Sequence, residues 1–326
     1  MIKIIADSTC DLTNEIVEKY DISIAPLSIN FENKVYNDRT ELKPDDFYSI
    51  LSSLEVLPTT AMPSPQEFID LYEKAFSAGH DEILCICMSS GTSGSYQSAI
   101  LAKEYLEDNS RHQNCKIHVV DSKCMSHGSG YLIIQSALLR EQGATFQELI
   151  DYNETYKTNV KHFLAVDDLD NLIKSGRLTN VSAMIGKILK VKPIMSMRNG
   201  KGAIVAKVRG SKKVLSHYID EFNRRVDMEL TNFVIIGYTS DQAVAENLKI
   251  KLLRETKFTG DVYIMQMGVV VGTHVGLGGI SMYFIEKGDR HDGLMYNSMT
   301  ALLAKKDEVL KMMKELRDKA MKRAEK

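Results

Sequence analysis

The sequence lacks most of the features that would commit it to a familiar chemistry. No apolar run approaches the ~20 residues that a membrane-spanning helix needs, so stable membrane insertion is not expected. The first residues, MIKIIADSTCDL, meet an aspartate before a secretion-type apolar stretch can form, and they read as a strand. The 5 cysteines are odd in number and form no C-x-x-C pair, and no H-E-x-x-H occurs among the 8 histidines. These absences argue against a disulfide framework and against a metal site. The thiols read instead as small buried hydrophobes in a reducing cytoplasm. A formal net charge of -2 gives no electrostatic case for nucleic acid. There is no low-complexity linker and no repeat of fixed period. The phosphate-loop and dinucleotide-loop signatures are also missing, and no cofactor is expected.

What is present is a globular chain of 326 residues with an apolar fraction of 44%. That length exceeds one ordinary hydrophobic core, so two domains are the default. The first half alternates short β-branched runs with helical patterns. Strands are expected at Ile2–Ala6, Ser23–Ile29, Asp81–Met88 and Lys116–Val120. Helices are expected at Asp11–Tyr20, with Thr13 as N-cap, and at Pro44–Leu54, Pro65–Ala78, Ser95–Leu106 and Ser129–Glu141. This alternation implies a mostly parallel sheet covered by helices. The second half has another rhythm. Two strands flank Asn199-Gly200, a hairpin signal, and helices at Val181–Leu189, Ser211–Val226 and Gln242–Glu255 accompany strands at Phe233–Tyr238, Val262–Met267 and Gly279–Ile285. The expected organisation is α/β: an N-terminal α/β domain over 1–165 and an α+β domain over 166–326. The lysine- and methionine-rich C-terminus reads as an amphipathic helix packed on the body.

Three segments carry chemistry. Met88-Ser-Ser-Gly-Thr-Ser-Gly-Ser-Tyr96 follows a buried strand and opens a helix. Its glycines permit close approach, its hydroxyls can donate, and the first helical N–H groups lack intrahelical partners. Such a junction suits an anion, though plain N-capping by serine explains part of it. With no lysine in the loop, a singly charged carboxylate fits better than a polyphosphate. Pro58-Thr-Thr-Ala-Met-Pro-Ser-Pro65 is a proline-bounded turn that could present Thr59 or Thr60 to the same edge; N-capping accounts for Ser64 but not for the paired threonines. Met267–Gly279 is dense in glycine and holds His274, a residue type that is more often structural than functional.

At these segments the sequence resembles the DegV family of bacterial fatty-acid-binding proteins, from the N-terminus to the strand at Gly279–Ile285. The carrying stretches are Asp7-Ser-Thr-Cys-Asp11, Pro58–Ser64, Ser89–Ser98, Val120–Gly130, Asp168–Leu178, Lys207–Lys213 and the His274 loop. The resemblance implies a two-lobed fold with a long-chain fatty acid between the lobes, and no catalysis by the chain itself. It implies a carboxylate held by Thr60 and Ser93, supported by Thr92, Gly94, Ser95 and His274. It also implies a fatty acid kinase as partner, met through Arg177 and Arg209, which phosphorylates the bound carboxylate. Ala61-Met62 stand where the family has Ser-Gln, and Leu277 where it often has proline. The segment after Glu286 lies outside the family pattern.

The physics of such a ligand is plausible. Burying each CH₂ contributes about 0.8 kcal/mol, so a long acyl chain gains on the order of 10 kcal/mol. An unpaired buried carboxylate costs several kcal/mol. A long apolar tunnel with a small polar end is therefore expected. Met184, Ile185, Ile188 and Leu189 are candidate tail-lining residues, although core packing explains the same spacing. A rival reading is a serine hydrolase. Gly91-Thr-Ser-Gly-Ser95 nearly spells G-x-S-x-G, with Ser93 as nucleophile and His274 as base. A phosphotransfer component is a second rival, weakened by the missing phosphate-loop lysine.

Overall fold

The computed structural model describes residues 1–32, 34–54, 56–108, 115–179 and 191–288, together with Lys311, Met313 and Lys314. The strands in chain order are β1 (Ile2–Asp7), β2 (Ile22–Ala25), β3 (Ser28–Phe31), β4 (Lys34–Asn37), β5 (Thr59–Ala61), β6 (Glu82–Cys87) and β7 (Lys116–Asp121). The second half adds β8 (Val160–Ala165), β9 (Leu178–Thr179), β10 (Val191–Arg198), β11 (Lys201–Arg209), β12 (Phe233–Tyr238), β13 (Asp261–Gln266) and β14 (Ile280–Ile285). The helices are α1 (Asn14–Lys19), α2 (Pro44–Ile50), α3 (Pro65–Ser77), α4 (Ser95–Glu107), α5 (His127–Glu141), α6 (Phe146–Tyr156), α7 (Asp170–Lys174), α8 (Ser211–Arg225), α9 (Gln242–Glu255) and α10 (Val269–Val275).

Three sheets result. The first is all parallel, in the order β2-β1-β6-β7. Its strands are near-continuous apolar runs, as expected of a sheet covered on both faces. The second is a small antiparallel sheet, β4-β3-β5. The third has seven strands of mixed direction, β13-β12-β14-β8-β10-β11-β9. The α/β class, with a parallel first half and a mixed second half, is as the sequence indicated.

Helix α5 joins the lobes. It is buried almost all round, including Tyr131, Leu132, Ile133 and Ile134. A helix without a polar face belongs inside the protein. Tyr131 stacks on Phe233 of β12 at 4.3 Å between ring centroids, so one core spans both large sheets.

Several local expectations are corrected. Ser23–Ile29 is not one strand: the chain breaks at Pro26, leaving β2 in the parallel sheet and β3 in the small one. Proline has no N–H for a ladder, which forces the break. The Thr59-Thr60 turn is strand β5, with Thr60 paired to Ile29. Helix α6 went unread; Thr145 and Glu148 form a capping box at its start. The strands change sheets between β7, in the parallel sheet, and β8, in the seven-stranded one. Met184, Ile185, Ile188 and Leu189 lie outside the described residues. So does most of the expected C-terminal helix, of which Met313 packs against the large core.

Candidate functional site

The serine segment is built as its sequence suggests. Strand β6 ends at Cys87, and α4 begins at Ser95 with no side chain capping it at Gly94. Between them, Ser89 organises the loop. Its carbonyl accepts from the N–H groups of Thr92 (3.0 Å) and Ser93 (3.2 Å) and from the Thr92 hydroxyl (3.0 Å). Its hydroxyl donates to the Gly200 carbonyl at 2.6 Å. That bond clasps the tip of the β10–β11 hairpin, where Gly200 has φ +74°, to the opposite lobe. A Cβ on Gly91 would sit 2.5 Å from the Gly200 oxygen, so glycine is required there for the lobes to meet.

Ser93 receives the Ser95 N–H at 3.2 Å and lies 3.0 Å from the Ser95 hydroxyl. Thr60, half-buried on β5, lies 3.0 Å from Nε2 of His274 across 214 residues of sequence. The two segments touch, because the Met62 side chain lies over Gly94, where any Cβ would collide with its sulfur.

His274 is not in a loop. It sits in the last turn of α10, which ends on Gly276 at φ +78°, a residue that stops helices by turning left-handed. The helix is docked on the small sheet and α2 through Val269 and Val270, which share a core with Ile29, Phe47 and Tyr48. Its start is fixed by the carboxyl group of Asp11, which accepts from the Gly268 N–H (2.9 Å) and the Ser126 hydroxyl (2.5 Å). Tyr48 donates to the Met267 carbonyl at 3.0 Å. Burial, reinforced by the charge of Arg177, pulls the His274 imidazole down to about 4, so it is neutral at pH 7.

These elements surround one cavity of about 340 Å³, within the ~300–1,000 Å³ usual for small-molecule sites. Thr60, Thr92, Ser93, Gly94 and His274 line it. Ser95 does not; it is fully buried behind Ser93. Arg177 and Arg209, grouped together by the family resemblance, differ in their relation to the cavity. Arg177 lines the cavity, with its guanidinium donating to the Ser175 carbonyl at 2.6 Å. Arg209 is exposed at the end of β11 and does not line it. The rest of the wall is mainly apolar, and sequence reasoning missed its commonest residue, methionine. No periodic signal marks it, because the methionines come from separate elements.

The arrangement does not suit hydrolysis. A triad needs nucleophile, imidazole and carboxylate in line. Here His274 bonds Thr60 rather than Ser93, and the charge that bears on it is the cation Arg177. A base held near 4 is also poorly matched to work at neutral pH. Among the described residues no group of acidic, histidine and cysteine side chains could hold a metal ion, and no helix is long and apolar enough to cross a membrane.

Comparison with known proteins agrees with this geometry. The family model described as "Uncharacterised protein, DegV family" matches residues 1–287. A DegV domain-containing protein of Clostridium acetobutylicum is 37% identical over 290 residues, covering 88% of this chain and 99% of that one. Among solved structures, DegV from Bacillus subtilis, described as a fatty acid binding protein, superposes with a TM-score of 0.76 at 28% identity, covering 88% and 99% of the two chains. A stearic acid-binding protein from Eubacterium ventriosum gives 0.78 at 27% identity, with the same coverage. With a family model matched along one continuous stretch of residues 1–287 and the same α/β frame, the chain belongs to the DegV family.

Proposed function

We propose that this chain binds a long-chain fatty acid in the cavity, with the carboxylate at the Thr60–Ser93–His274 end, and presents it in the cytoplasm to a fatty acid kinase that makes the acyl phosphate. The observation that carries the reading is one cavity that couples an apolar wall to a small set of hydroxyls fixed by a neutral histidine. Relatives described as fatty-acid-binding support it.

The hydrogen-bond logic is specific. If the His274 proton is on Nε2, it donates to the Thr60 oxygen, and the Thr60 hydroxyl is then free to donate outward. Ser93 has a single hydroxyl proton to offer, and Ser95 already supplies its oxygen with an N–H. One donor can thus go to each carboxylate oxygen. Arg177 adds a fixed positive charge at the same wall, which offsets part of the desolvation cost. Met62, exposed beside Gly94, supports this end as the one that faces a partner. The free thiols, four of them buried, support the reducing compartment. Exposed Arg209 is the candidate partner contact.

Mass spectrometry of lipid extracted from the purified protein tests the reading. A stoichiometric long-chain fatty acid is expected. A protein that arrives empty and takes up none when offered a panel of such acids would overturn it.

A further inference from the structure

The composition of the chamber wall is unusual for a shape-selective site. Six of the 24 described lining residues are methionines, against three leucines and three valines, with no isoleucine, phenylalanine or tryptophan among them. The methionines are spread round the chamber. Met88 follows β6, Met125 precedes α5, Met195 and Met197 share one face of β10, and Met267 follows β13. Only Met62 is substantially exposed, at the mouth. Both lobes therefore contribute deformable wall.

A thioether side chain is unbranched and turns about three bonds, so it refills irregular space at little cost. Branched side chains are stiff and impose one contour. A cis double bond or a methyl branch pushes an acyl chain sideways. Against a rigid wall that displacement forces strained rotamers. Here methionine is the commonest residue of the displaced wall, and both lobes contribute it.

We infer that this chamber discriminates weakly by acyl shape: it takes straight, cis-unsaturated and methyl-branched long-chain fatty acids with similar affinity, and the methionines are the residues that set this breadth. The inference rests on the fatty-acid reading above and adds the ligand class to it.

The test uses the delipidated full chain with three acids of equal carbon number: stearic, oleic and isostearic. Dissociation constants are measured by calorimetry. Values within about five-fold of one another are expected. In Met195→Ile/Met197→Ile, stiffening one wall should weaken oleic and isostearic acids by at least about ten-fold relative to stearic acid. A parent chain that rejects oleic or isostearic acid by more than about thirty-fold overturns the inference, and this arm needs no variant. A folded double variant that binds all three acids like the parent also overturns it. If none of the acids binds the parent chain, the fatty-acid reading itself falls, and the inference with it.

Discussion

Two polar regions border the chamber, and they use their hydrogen bonds in opposite ways. At the mouth, Thr60, Ser93 and His274 are neutral and only partly enclosed; Thr60 bonds His274, and Ser93 bonds Ser95. Behind the wall, Asp7, Asp11 and Asp38 are almost fully buried. Asp7 collects the N–H groups of Met88 (2.8 Å) and Thr9 (3.2 Å) and the Thr9 hydroxyl. Asp11 collects Gly268 and Ser126, and so ties α10 to the first lobe. Asp7 and Asp11 are committed to the protein's own N–H and hydroxyl groups. The hydroxyl set keeps donors that a ligand can take. A site and its scaffold can thus lie side by side and still be told apart by where their hydrogen bonds go.

The largest expected effect breaks the scaffold side. Asp11→Ala leaves the Gly268 N–H and the Ser126 hydroxyl without their acceptor in a buried setting, at a cost of about 2–4 kcal/mol. Urea unfolding should show that loss, and fatty-acid retention should fall as well, because α10 carries His274. An unchanged unfolding midpoint would remove Asp11 from the scaffold.

Ser93→Ala breaks the other side. Losing one hydrogen bond to a charged group weakens fatty-acid binding by about 1.5–3 kcal/mol, on the order of ten- to a hundred-fold, and leaves the fold intact. Lipid content equal to the parent's after purification would count against the carboxylate assignment.

The two regions should also respond to pH with opposite signs. Burial raises Asp11 from its ordinary 3.8 to about 8. The folded chain keeps that proton where the unfolded chain has lost it, so the contribution of Asp11 to stability declines as pH rises through this window. His274 is lowered from 6.5 to about 4. The unfolded chain binds a proton there that the folded chain does not, so its contribution declines as pH falls from 6.5 towards 4. Asp11→Asn should flatten the fall in stability as pH rises from 3.8 to about 8, and His274→Gln the fall as pH drops from 6.5 to about 4. Stability curves in which both variants keep the parental slopes would contradict the assignment.

The smallest effect on binding is expected at Arg209. Arg209→Ala should leave fatty-acid affinity within about two-fold and reduce acyl-phosphate formation with the kinase. Loss of lipid instead would give Arg209 a role in the cavity.

The legible parts of the site were those whose chemistry is local. The serine loop announces itself by glycines and hydroxyls between a buried strand and a helix, and Ser93 follows from that pattern. Read from the turn's own residues, Thr60 was legible only as one of two threonines, and the family resemblance singled it out. Its selection depends on the register of β5 against β3, which pairs Thr60 with Ile29. His274 looked like a loop residue because glycine density resembles a loop; docking of Val269 and Val270 on the small sheet makes the segment a helix. Arg177 offered no local sign that it faces the cavity.

The sequence by itself determined the alternation of strands and helices, the anion-friendly loop after β6 and the hairpin at Asn199-Gly200, because propensity, periodicity and turn chemistry act over a few residues. Only the tertiary structure decided that Thr60 and His274 meet across 214 residues, that Arg177 enters the cavity and that methionines from both lobes share one wall. Those are long-range contacts, fixed by how sheets and helices pack, and no short stretch of sequence carries them.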